Sequence, residues 1–70
     1  MIDKLTARER EILVPLCEGC CNKRIARRFN ISVGTVKIHL HNIYEKLGVP
    51  NRTALVVLAL TTILKQDGVL

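Results

Sequence analysis

Between Val33 and Leu47, the stretch VGTVKIHLHNIYEKL places Val36, Leu40, Ile43 and Leu47 at intervals of four, three and four residues, the spacing that lines up one stripe of an α-helix. One face of this helix is therefore core. At about 100° per residue, the opposite direction carries Gly34, Ile38, His41 and Glu45, flanked by Lys37 and Asn42. Ile38 points away from the core, between Lys37 and His41, where a merely solvated face would carry another charge. The pattern marks a reading surface.

Upstream, Thr6 followed by Glu9 fits a capping box, and Ile12, Leu13, Leu16, Cys17 and Cys20 give the apolar stripe of a helix over 7–18, stopped by Gly19. Pro15 removes the bond to the Glu11 carbonyl, so a bend is expected there and not an end. A short helix over 22–29 turns Ile25, Ala26 and Phe29 inward and Lys23, Arg24, Arg27 and Arg28 outward, with Ala26 small enough for a close crossing. Asn30 can take the left-handed conformation that ends a helix, Ile31 plugs the corner, and Ser32 caps the helix over 33–47. Cys21 is a weaker cap than a hydroxyl residue. A short basic helix, a three-residue turn and an amphipathic helix together make a helix-turn-helix.

Gly48 closes the third helix, and Asn51 caps a fourth over 52–65 that is apolar nearly all round. Leu55, Val56, Ala59 and Ile63 can face the core, but Val57, Leu58, Leu60 and Leu64 cannot all follow them. Such a helix in a small protein needs a second burial partner. Self-association is one reading; contact with a neighbouring domain, or packing of Met1 to Leu5 over the helix, are the others. The expected fold is one all-α domain over 1–70, a four-helix unit with the helix-turn-helix at its centre.

Composition narrows the partner. Phe29 and Tyr44 are the only aromatics, so the core must be aliphatic. From Asn22 to Arg52 there are seven basic residues against Glu45 alone, whereas the remainder has four against five acidic ones. The excess positive charge surrounds the helix-turn-helix, which suits a polyanion whose counterions are released on binding; a basic face that only confers solubility is the plainer account. The N-terminus lacks the apolar region of a signal peptide, and the apolar run Ala54 to Leu64 is far short of the ~20 residues that span a bilayer. The expectation is a cytoplasmic protein with no membrane contact. Cys17, Cys20 and Cys21 are bunched and odd in number, unlike a secreted disulfide framework.

Catalytic chemistry is not in view. There is no glycine-rich phosphate loop, and neither histidine has an evident acid or nucleophile partner at helical spacing. His39 and His41 lie about 200° apart on one helix and cannot chelate one ion together. The cysteines read as small core residues and a cap, so no metal, cofactor or small-molecule ligand is expected.

Leu5-Thr6 with Arg8-Glu9-Arg10-Glu11, Asn22-Lys23, Ile25-Ala26, Ile31-Ser32, Thr35-Val36-Lys37, His39-Leu40, Asn42-Ile43, Lys46-Leu47-Gly48-Val49 and Asn51-Arg52-Thr53 resemble the LuxR-type DNA-binding domain, found in bacterial response regulators of two-component systems and in quorum-sensing receptors. The resemblance implies a transcription regulator's output domain, with double-stranded promoter DNA as ligand and the third helix in the major groove. It also implies a homodimer through the fourth helix, which points to Val57, Leu58, Leu60, Thr61 and Leu64. The family's base-reading positions fall on Lys37, Ile38 and His41, and Gly34 ahead of them lets the backbone approach DNA closely. Thr35, Lys46 and Arg52, with Lys23 and Arg27, are the candidates for phosphate contacts. Glu45 lies too far along the helix to read bases and is expected to pair with a cation. A protein-interaction module using the apolar fourth helix to bind or sequester another regulator is the rival reading. The promoter-reading domain of a sigma factor also shares the helix-turn-helix.

Overall fold

The hydrophobic stripes converge on a single aliphatic core. In the computed structural model, which describes residues 2–66 and the side chains of residues 3–62, a 3-10 turn at Ile2–Lys4 leads into four helices. These are α1 (Ala7–Cys17), α2 (Asn22–Phe29), α3 (Val33–Leu47) and α4 (Arg52–Gln66). There is no strand among the described residues. The sequence places α2 and α3 at their observed bounds; α1 stops one residue sooner than expected and α4 runs one further.

Three of the four helices, α1, α3 and α4, start at a side-chain cap. Thr6 Oγ1 accepts from the Glu9 backbone N–H at 3.1 Å and Glu9 Oε1 accepts from the Thr6 N–H at 2.8 Å, completing the capping box. Ser32 Oγ accepts from the Thr35 N–H at 3.1 Å, and Asn51 Oδ1 from the Ala54 N–H at 2.8 Å. Cys21 makes no side-chain capping bond to α2. The helix does not end at Pro15; it continues to Cys17, although Pro15 has no N–H to give the Glu11 carbonyl.

Three helix ends share one device. Gly19, Asn30 and Gly48 each adopt positive φ, at 86°, 55° and 67°, a conformation that turns the chain out of the helix. The N–H of the next residue then reaches back across the last turn: Cys20 to the Pro15 carbonyl at 3.0 Å, Ile31 to Ala26 at 2.9 Å, Val49 to Tyr44 at 3.1 Å. Those same three residues, Cys20, Ile31 and Val49, pack against the core. Orphaned carbonyls are satisfied and an apolar side chain is tucked under each corner.

The core comprises Leu5, Ile12, Leu13 and Leu16 from the N-terminal segment and α1, Ile25 and Ala26 from α2, Val36, Leu40, Ile43 and Leu47 from α3, and Leu55 and Ala59 from α4. Phe29 and Tyr44 sit at its margin. Among the described residues, Glu9 is the buried charge, 3% exposed. Lys46 Nζ approaches its Oε1 at 2.8 Å, tying the start of α1 to the last turn of α3.

Candidate nucleic-acid interface

With Val36 and Ile43 fully enclosed, α3 cannot roll about its axis, and the face opposite its core stripe is fixed outward. Gly34, Lys37, Ile38, His41, Asn42 and Glu45 are all exposed. Ile38 is 62% exposed, an apolar side chain held in water by the burial of its neighbours. A Cβ at Gly34 would meet only the Ser32 hydroxyl, at an ordinary 3.7 Å. The fold itself therefore does not demand glycine there.

Glu45 finds its partner on the same helix: its Oε1 lies 3.3 Å from His41 Nε2. This corrects the expectation that neither histidine has an acid at helical spacing, since His41 and Glu45 stand four residues apart, the separation that brings side chains together. The contact holds the His41 ring and leaves Lys37 with no ion pair among the described residues.

The expected phosphate-contacting residues divide into two groups. Lys23 and Arg27 project from the outer face of α2 without a partner among the described residues. The others are engaged within the fold. Thr35 Oγ1 lies 2.9 Å from Ser32 Oγ, and Lys46 sits on Glu9. Arg52 donates from Nη1 to Asn22 Oδ1 at 2.7 Å and from Nη2 to the Cys20 carbonyl, joining the start of α4 to the start of α2. Arg28, also on α2, pairs with Glu18 at 2.9 Å, and Arg8 lies over the Phe29 ring at 5.1 Å.

Burial alone would push the Glu9 carboxyl up, but the Lys46 ammonium and the Thr6 N–H outweigh it and hold Glu9 below the ordinary carboxylate range. Burial and the nearby Glu18 raise the Cys17 thiol, whereas the Arg24 N–H at the start of α2 lowers that of Cys21. All three cysteines are free thiols. Among the described residues, no group of three or more His, Cys, Asp or Glu side chains could hold a metal ion.

On α4, Leu55 and Ala59 are sealed while Val57 and Leu60 stand 59% and 44% exposed. Leu58 is half-buried against the core, so it is not part of the free face. The Thr61 hydroxyl donates to the Val57 carbonyl at 2.8 Å. Leu64, expected at the same surface, and Ile63, expected in the core, have side chains outside the described residues. No helix among the described residues is long and apolar enough to cross a membrane.

Residues 3–59 match the family described as bacterial regulatory proteins, luxR family. Over 57 residues the chain is 54% identical to the probable transcriptional regulatory protein SgaR of Hyphomicrobium methylovorum, covering 81% of this chain and 27% of that protein. It is 58% identical over 52 residues to the monoamine regulon transcriptional regulator of Klebsiella aerogenes, covering 74% and 23%. Against the nitrate/nitrite response regulator protein NarP of Escherichia coli K12, it is 46% identical over 56 residues, covering 80% and 26%. The chain thus spans about a quarter of the length of these curated relatives. An exposed polar face fixed on a helix-turn-helix, basic surroundings and a match through most of the chain agree: the chain belongs to the luxR family of bacterial regulatory proteins, DNA-binding domains of transcription regulators and not enzymes.

Proposed function

We propose that α3 is the recognition helix and lies in the major groove of double-stranded DNA. Two copies joined along α4 would present two such helices to the half-sites of a roughly palindromic site. The observation that carries this reading is Ile38, exposed between Lys37 and His41 on a helix whose opposite face is locked into the core. Ile38 packs on a thymine methyl, Lys37 donates to guanine O6 or N7, and His41, steadied by Glu45, bonds a base edge. Gly34 brings the backbone close to the duplex. Lys23, Arg27 and Thr35 meet phosphates, while Lys46 and Arg52 add positive charge from within the fold.

The dimer reading rests on Val57 and Leu60, which with Thr61 form one stripe of α4. The Thr61 hydroxyl is spent on its own helix, so this residue offers its methyl group and the stripe is apolar throughout. Its occupant in this reading is a second copy of the chain. The protein serves as the output portion of a response regulator of a two-component system, acting in the bacterial cytoplasm and on the nucleoid when bound.

The test is a titration of labelled duplex DNA at two salt concentrations, with random sequence set against a pool enriched by selection. Salt-sensitive binding that the enriched pool tightens by orders of magnitude is expected. If neither pool binds at low salt, the DNA reading fails, and the exposed stripe of α4 becomes the site for a different protein.

A further inference from the structure

Beside the reading face, α3 shows a second surface that the residues proposed above do not account for. Lys37, His41 and Tyr44 follow one another at helical spacing along its flank, and with Leu40, Asn22 and Arg52 they enclose an open groove of about 360 Å³. Both α2 and α4 begin at this groove, at Asn22 and Arg52. No carboxylate lines it.

The hydrogen-bonding capacity of the groove leans toward donors. Arginine has donors only, so the Asn22 atom facing Arg52 must be its carbonyl oxygen, as the 2.7 Å contact has it. One lone pair of the Asn22 oxygen is thereby engaged and its NH₂ is left over. Tyr44 is half-buried with its ring against the core, and its hydroxyl has no hydrogen-bond partner among the described residues. No buried side-chain oxygen or nitrogen among them lacks a partner, so this hydroxyl reaches solvent. His41 is tied to Glu45, which stands outside the groove. What remains is an amide NH₂, a phenol O–H and the Lys37 ammonium at the edge, two neutral donors and a cation around one concavity.

We propose that this groove receives one phosphate of the DNA backbone, with the Tyr44 hydroxyl and the Asn22 amide donating to its oxygens, which makes Tyr44 a DNA-contacting residue. The inference rests on the reading of α3 as the recognition helix, because the groove lies along the flank of that helix and a strand bordering the major groove would pass over it. A phosphate bound here would fix the rotation of α3 in the groove without reading sequence. Arg52 serves as a positioning residue, presenting the Asn22 amide in the donating sense.

Two variants test this. Tyr44→Phe keeps the ring and its packing while deleting the hydroxyl, and Asn22→Asp keeps an acceptor for Arg52 while placing a negative charge in the groove. Loss of one hydrogen bond to a charged group corresponds to about a tenfold weaker Kd for Tyr44→Phe, equal on selected and random duplexes, with a larger loss for Asn22→Asp. In a set of selected duplexes, each carrying a neutral methylphosphonate at a different backbone position, one position should weaken the wild type and leave Tyr44→Phe with no further loss. Circular dichroism should show unchanged helicity in both variants. If the wild type binds DNA and Tyr44→Phe binds equally well, or loses affinity by the same factor at every methylphosphonate position, the phosphate site is wrong and the recognition helix stands. If the wild type binds no duplex at either salt concentration, both readings fall together.

Discussion

Two helices of equal length, α3 and α4, solve opposite problems. Each has fifteen residues and each is anchored by fully enclosed side chains, Val36 and Ile43 in the one, Leu55 and Ala59 in the other. Around that shared anchor α3 carries a lysine, a histidine and one isolated apolar residue, whereas α4 carries Val57, Leu60 and a threonine whose hydroxyl is turned back on its own backbone. One exposed face keeps its polar groups available; the other has disposed of them. In the proposed reading, the contrast lets a domain this small separate its partners by chemistry, with charge and hydrogen bonding for nucleic acid on α3 and apolar area for another copy on α4.

The sharpest way to break the comparison is to show that the anchored and exposed positions of α4 are equivalent. Leu55→Ala should lower unfolding free energy by about 3 kcal/mol in urea denaturation, the usual cost of emptying a sealed leucine site. Leu60→Asp should leave monomer stability within about 0.5 kcal/mol and instead abolish concentration-dependent self-association in sedimentation. Equal destabilisation by the two would mean that Leu60 belongs to the monomer core.

Lys37→Ala addresses the other helix. It should weaken binding to a selected site by about 2 kcal/mol with little change in melting temperature. A uniform loss on every sequence, with the salt slope reduced by about one unit, would assign Lys37 to phosphate instead of a base.

A smaller effect comes from the tie between α1 and α3. Because Glu9 titrates lower in the folded than in the unfolded chain, its stabilisation is complete above the ordinary carboxylate range. It disappears as the pH falls through the lowered folded value. Urea midpoints measured from pH 7 downward should fall in that window for the wild type, and Glu9→Gln should start lower by about 1–2 kcal/mol and lack that part of the pH dependence.

The smallest effect sets stability against function. Gly34→Ala should stabilise the domain by about 0.5–1 kcal/mol, because a helical glycine is costly and the new methyl group meets nothing tighter than 3.7 Å. The same substitution should weaken DNA binding if the backbone approaches the duplex there. Gain in both would show that Gly34 lies outside the interface.

Much of this was legible in the chain because it is local. The Thr6 and Glu9 cap, the left-handed Asn30, the stop at Gly48 and the stripe from Val36 to Leu47 each depend on residues within a few positions of one another, where spacing determines contact. The His41 and Glu45 pair is equally local, set by a four-residue spacing on one helix. Different in kind are Lys46 on Glu9 and Arg52 on Asn22, separated by 37 and 30 residues. No periodicity encodes such pairs, since they exist only once the helices have been laid across one another. They also explain why a count of basic residues overstates the free charge, for two of the cations nearest the reading helix already have partners inside the fold. Tyr44 was legible as an aromatic at the core margin, but its unpartnered hydroxyl and the groove beside it arise from the meeting of three helices.

The three left-handed closures at Gly19, Asn30 and Gly48 also bear on the speed of folding. Each is completed by a bond spanning five residues, so every corner can form before any two helices have met. Chains dominated by such near-neighbour contacts fold within microseconds to milliseconds, and this one should refold on that scale in a temperature-jump experiment. A regulator built this way would re-form the exposed face of α3 after thermal unfolding far faster than a cell transcribes a gene.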